Sequence, residues 1–150
     1  MALRHTYFSA SGFNPVPWLD RRLHPYRHTA TATLRGQPVR VHWTRRAQAA
    51  LDRRKDPLWV EMQLYFSCVV KKRVLFHETA DTGEYTRVTA ALNLRASAVE
   101  SDACSPEVFA AHYPARRELD TAAALRMVPR HLWLDHRHGD WVGEMSFDRH

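Results

Sequence analysis

The densest run of chemically capable side chains is Asp135-His136-Arg137-His138-Gly139-Asp140, near the C-terminus. Neutral imidazole nitrogens and carboxylate oxygens are the usual ligands of a divalent metal. His136 and His138 stand two apart, so in an extended strand they point the same way, and Asp140 continues that alternation. The spacing makes His136, His138 and Asp140 the candidate ligands for zinc or a similar divalent metal. Seven further histidines (His5, His24, His28, His42, His77, His112 and His131) are candidate ligands from elsewhere in the chain. A small metal-dependent enzyme is one function class that follows. The competing reading is a polar hairpin tip, where Asp, His and Gly are ordinary turn residues.

Over these five residues, His-x-His-x-Asp resembles the metal motif of the metallo-β-lactamase fold. The resemblance stops there. Trp141 stands where that motif carries another histidine, and the chain is not assigned to that family.

Other catalytic patterns are absent from the sequence. Five scattered glycines cannot build a phosphate-cradling loop or a dinucleotide fingerprint. There is no Gly-x-Ser-x-Gly elbow. The two cysteines, Cys68 and Cys104, exclude a disulfide scaffold and a four-cysteine zinc site. Cys68 falls in the apolar phase of a strand pattern and reads as core. Cys104 precedes a helix start, a position that can lower a thiol pKa, but no partner base is identifiable.

Charge gives the second constellation. Residues 1–55 hold eleven basic and two acidic side chains, a balance of +9, whereas residues 56–150 hold eleven and fourteen, a balance of −3. Nineteen of the basic residues are arginine and three lysine. Arg21, Arg22 and Arg27 are interleaved with Trp18 and Tyr26, and Arg45, Arg46 and Arg53 are expected on one exposed side of a helix. Guanidinium groups neutralise phosphates, and aromatic rings stack on unpaired bases. These eight residues are therefore the candidate polyanion-binding set, with nucleic acid or a ribonucleoprotein as the partner. The rival explanation is a solvated basic face with its aromatics packed inward. A third function class, a structural subunit of a larger assembly, accounts for the aromatic N-terminal region as well. No cofactor is expected unless the metal reading holds.

The elements that must position these residues follow from periodicity. A chain of this length suits one domain over 1–150. Residues 1–27, with Pro15, Pro17 and Pro25, read as an irregular aromatic and basic arm packed on it. His28 to Trp43 reads as a hairpin turning at Arg35-Gly36-Gln37. Thr44 caps a helix over 45–55 with an apolar stripe of Ala47, Ala50 and Leu51. Residues 58–78 alternate so regularly that one long strand is expected, bent near Lys71–Arg73, with its even positions buried and its odd positions on a partly polar surface. Residues 85–98 are its natural antiparallel partner. Ser105-Pro106-Glu107 starts a helix, Asp120 is expected to cap another over 121–127, and 131–147 closes the chain as a hairpin. The fold class is therefore α+β, a largely antiparallel sheet in the order ββ-α-ββ-α-α-ββ with helices on one face. No apolar run approaches the ~18 residues of a membrane helix, and no leader is visible at Met1, so the expected location is cytoplasmic.

Overall fold

The computed structural model describes residues 4–6, 15–67, 70–80, 83–100, 117–118 and 121–148. Their elements are β1 (Arg4–Thr6), α1 (Pro15–Leu23), β2 (Tyr26–Leu34), β3 (Gln37–Thr44), α2 (Arg45–Asp52), β4 (Leu58–Phe66) and β5 (Val70–His77). After them come β6 (Thr86–Thr89), β7 (Leu92–Glu100), β8 (Arg117–Glu118), α3 (Ala122–Leu125), β9 (His131–Arg137) and β10 (Asp140–Ser146). The chain is α+β, as its patterning implies. The helix expected from Ser105, Cys104 beside it, Cys68 and Asp120 lie outside the described residues, as does the side chain of Trp18.

The strands form two sheets rather than one. The first runs β1-β5-β4-β7-β6, with β8 also paired to β7, and the second runs β10-β9-β3-β2. Hairpins make most of the pairings antiparallel, but each sheet contains one parallel join, β4 with β7 and β3 with β9. The hairpin tips are as the sequence implies. Arg35-Gly36 and His138-Gly139 both adopt positive φ at both positions, the backbone of a two-residue turn that matches strand twist.

Two sequence expectations fail for identifiable reasons. Residues 58–78 form two strands folded against each other, not one bent strand. Their register pairs Leu64 with Lys72 and Phe66 with Val70, even with even. Even positions therefore face one way in both strands, and the alternation runs unbroken through the turn. Periodicity cannot distinguish that hairpin from one long strand. Residues 85–98 likewise contain a tight turn, between Thr89 and Leu92, that no glycine or proline marks. Because β5 already occupies one side of β4, β7 joins the other side, and does so in parallel. The first 27 residues are also more regular than expected, since they include β1 and the nine-residue α1.

Apolar alternation places the core between the sheets. Leu58, Val60, Met62 and Leu64 of β4, Val74 and Phe76 of β5, and Leu92 and Leu94 of β7 form one cluster with Val39, Val41, Trp43, Leu132, Leu134 and Met145 from the second sheet. Ala47, Ala50 and Leu51 of α2 join it, which is the helical stripe read from sequence. Thr44 caps α2 by accepting a hydrogen bond from the Ala47 amide at 3.1 Å. At Gly143 of β10 the second sheet lies close against β5 of the first. A Cβ there would lie 2.5 Å from Val74 Cγ1 and 3.1 Å from Phe76 Cζ, so no larger residue fits without moving β5. No helix among the described residues is long and apolar enough to cross a membrane.

The odd face of β4 is the main revision. Glu61, Gln63 and Tyr65 are buried as completely as the even residues, with Gln63 only 1% exposed. Gln63→Asp should therefore destabilise about as severely as Leu64→Asp, because Gln63 donates to Glu61 and the change sets two buried carboxylates together. Gly143→Val should cost about 1–3 kcal/mol by overpacking. Urea unfolding midpoints of the three variants test both statements. A Gln63→Asp protein as stable as wild type would show that the odd face is wet.

Candidate functional site

Polar side chains gather in three places. The first is the outer face of the first sheet, across β5, β4 and β7. Glu61 accepts hydrogen bonds from Ser97 Oγ, from Gln63 Nε2 at 3.1 Å and from His77 Nε2 at 3.0 Å, with Arg95 at 3.8 Å. Burial raises the Glu61 carboxyl, but the bonds from His77 and Ser97 and the charge of Arg95 outweigh it and hold the pKa at about 2. Ser97 and His77 both bond to the carboxylate, so no relay from a serine hydroxyl to a base is formed. This network ties three strands together across the sheet.

The second place is Asp135, on β9. Its carboxylate accepts from Thr44 Oγ1 at 2.6 Å, from Arg46 Nε at 2.8 Å and Nη2 at 2.6 Å, and from the His136 amide at 2.8 Å. Burial pushes its pKa up, and the Arg46 and Thr44 bonds more than reverse that, leaving it below the usual carboxylate range. Arg46 also bonds Asp20 of α1 at 2.8 Å, and Arg137 lies 3.5 Å from Asp20. Beside this network is a recess of about 80 Å³ whose lining includes Tyr26, Trp133, His24 and Glu144.

The third place is the outer face of the second sheet. Strand alternation sets Arg27, Thr29, Thr31 and Thr33 of β2 outward and exposed, next to Arg40 and His42 of β3 and His131 and Trp133 of β9. His42 and Trp133 are register partners with ring centroids 5.5 Å apart and planes 16° apart. His131 closes a triangle with them, 5.3 Å from Trp133 and 5.5 Å from His42, with the same 16° between planes. His42 Nε2 lies 3.2 Å from His131 Nδ1, and Thr29 Oγ1 lies 3.2 Å from His42 Nδ1. Burial, followed by the charges of His131 and Arg40, lowers the His42 pKa.

The residues singled out from sequence are dispersed by the fold. Arg22, Arg27, Arg45 and Arg53 are exposed. Arg21 is exposed and pairs with Glu144 at 3.3 Å. Arg46 does not share an exposed side with Arg45 and Arg53: it turns inward to Asp135 and Asp20 as a structural ion pair. Tyr26 is half-buried in the recess wall, where burial and Asp135 raise its pKa. His136 packs edge-on against Trp141 at 4.9 Å, while His138 sits in the turn with φ +52° and Asp140 is exposed. Among the described residues no three His, Cys, Asp or Glu side chains are grouped to hold a metal.

Sequence reading did not single out Glu61, Arg95 and Ser97, and it named His77 only as a candidate metal ligand; the β4–β5 and β4–β7 registers together bring the four side chains to one place. It also did not single out Arg40 and Trp133, and it named His42 and His131 only as candidate metal ligands. Their alternation along β3 and β9 is visible in the sequence, but the pairing of those strands is not. No family model, no curated protein and no solved structure matches this chain.

The Glu61 cluster gives a pH prediction. The folded carboxyl is held at about 2 instead of 4.5, so the unfolded chain takes up the proton first. The cluster's contribution is complete above about pH 4.5 and is lost as pH falls toward 2, for a total of about 3 kcal/mol. Glu61→Gln should flatten the acid limb of stability measured by urea unfolding between about pH 5 and pH 2.5. An unchanged acid limb would remove Glu61 from this role.

Proposed function

We propose that this chain is a non-catalytic binding domain for single-stranded nucleic acid, a single cytoplasmic domain that binds weakly and without sequence preference. The observation that supports it is the outer face of the second sheet: exposed Arg27 and Arg40 with three exposed threonines around the Trp133–His42 ring row. Guanidinium groups neutralise phosphates, hydroxyls bond phosphate and sugar oxygens, and a flat ring offers a surface on which a base can stack. Arg21, Arg22, Arg45 and Arg53 extend the positive field beyond the sheet and favour encounter with a polyanion. Arg46 is not in the binding set, since its charge is consumed by Asp135 and Asp20.

The test is fluorescence polarisation with short single-stranded and duplex oligonucleotides over about 50–200 mM salt, where log affinity should fall with log salt at about 0.7 per phosphate contacted. Arg27→Glu with Arg40→Glu should weaken binding at least tenfold without changing thermal stability, since both side chains are exposed. Trp133→Ala should cost about 1–3 kcal/mol on single strands if a base stacks there. Absence of binding at the low-salt end, or binding unaffected by the double charge reversal, would sink this function and leave the assembly-subunit reading in its place.

A further inference from the structure

The His42–His131 contact sits at the centre of the face just described. The two ring centroids are 5.5 Å apart with planes 16° apart, while the facing nitrogens are 3.2 Å apart. The difference is about two ring radii, so the nitrogens lie on the line between the rings. The contact is an in-plane hydrogen bond, edge to edge, not a face-to-face stack. One nitrogen must carry a proton and the other must offer its lone pair.

That geometry limits how much charge the pair can hold. With both imidazoles neutral, the bond is satisfied. A first added proton goes to an outward nitrogen: His42 Nδ1, facing Thr29 Oγ1, or the far nitrogen of His131. The bond survives in a charge-assisted form. A second added proton sets N–H against N–H and places two cations side by side, so it is excluded while the rings stay in place. While the contact holds, the pair therefore has room for one added proton and not two. A neighbouring charge opposes protonation of His42 further: Arg40 flanks it on the same side of β3. On the opposing side stand Glu144, the register partner of Trp133 on β10, and Asp148, which accepts from Ser146 Oγ at 3.1 Å next to His131's own register partner. Arg27 is one alternation beyond Thr29 on β2.

We propose that this histidine pair couples nucleic-acid binding to proton uptake, so that the face binds single strands more tightly as pH falls below neutrality. The inference rests on the function proposed above. A phosphate drawn to Arg40 cancels the repulsion that keeps the pair from charging. The bound form then has the higher pKa. The extra affinity is complete below the free protein's titration and is lost as pH rises through that of the complex. Uptake of one proton bounds the slope at about one decade of affinity per pH unit.

The experiment measures affinity for a fluorescein-labelled oligothymidylate of roughly 16 nucleotides, an ample single-domain footprint, at constant ionic strength. The pH range is about 5.5 to 8.5, the interval in which histidine is the titrating side chain. Thymine and the phosphodiester do not titrate there, so any proton taken up resides on the protein. Wild type should bind threefold to tenfold more tightly at about pH 6 than at pH 7.5, whereas His42→Gln, whatever affinity it keeps, should show no such change between the two. Histidine ring-proton shifts, followed by NMR with and without the oligonucleotide, should show the His42 titration move upward on binding. That measurement needs no variant, which matters because His131 is only 6% exposed and its replacement risks the fold. Binding that is present but flat with pH, or equally pH-dependent in His42→Gln, overturns the coupling and leaves the binding function standing. Absence of binding at every pH overturns both.

Discussion

The Asp135 carboxylate is where the second sheet and two of the helices are joined. It accepts from the last residue of β3, from the second residue of α2 and from the backbone beside it on β9. Through Arg46 it also reaches Asp20 of α1. A buried carboxylate is tolerated only when its lone pairs are filled, and here they are filled by groups from three separate elements. The same Thr44 hydroxyl that donates to Asp135 also accepts from the α2 backbone. The helix start, the parallel β3–β9 join and the seat of α1 are therefore one cooperative arrangement.

The two sheets use their outer faces in opposite ways. On the first sheet the polar side chains are buried and answer one another, with Glu61 matched by Ser97, Gln63, His77 and Arg95. On the second sheet Arg27, Thr29, Thr31 and Thr33 of β2 and Arg40 of β3 stay exposed. A matched, buried network spends its hydrogen bonds internally and fixes strand register. Exposed cations and hydroxyls beside half-buried rings keep that capacity for a partner. This contrast, rather than the total charge of the N-terminal third, is why the second sheet is the surface of interest.

Local structure was legible in the sequence where chemistry is local. The Thr44 cap, the Ala47–Ala50–Leu51 stripe and the glycine-bearing tips of two hairpins are all as their residue types imply. What could not be read was non-local. The alternation from Leu58 to Val70 passes through a turn without changing phase, so one strand and two strands look alike. Trp43 and His42 are adjacent in sequence, yet one enters the core and the other joins His131 on the outer face, and only the register with β9 gives the latter its neighbours. Arg46 illustrates the same limit. Helical spacing grouped it with exposed arginines, while the partner that claims it lies 89 positions along the chain.

The parallel join between β3 and β9 also sets a timetable. Arg40 to Trp43 pair with His131 to Leu134, so β3 waits for a neighbour about ninety residues further on. At ribosomal speeds of about 5–20 residues per second, that delay is roughly 5–20 s. Throughout it, the apolar side of the β2–β3 hairpin has been made but the strand that completes its sheet has not. In the first sheet β1 waits about seventy residues for β5, but the central strand β4 receives β5 at once and β7 about thirty residues later. The nascent chain therefore carries its most vulnerable edge in its earliest hairpin, beside the segment richest in positive charge.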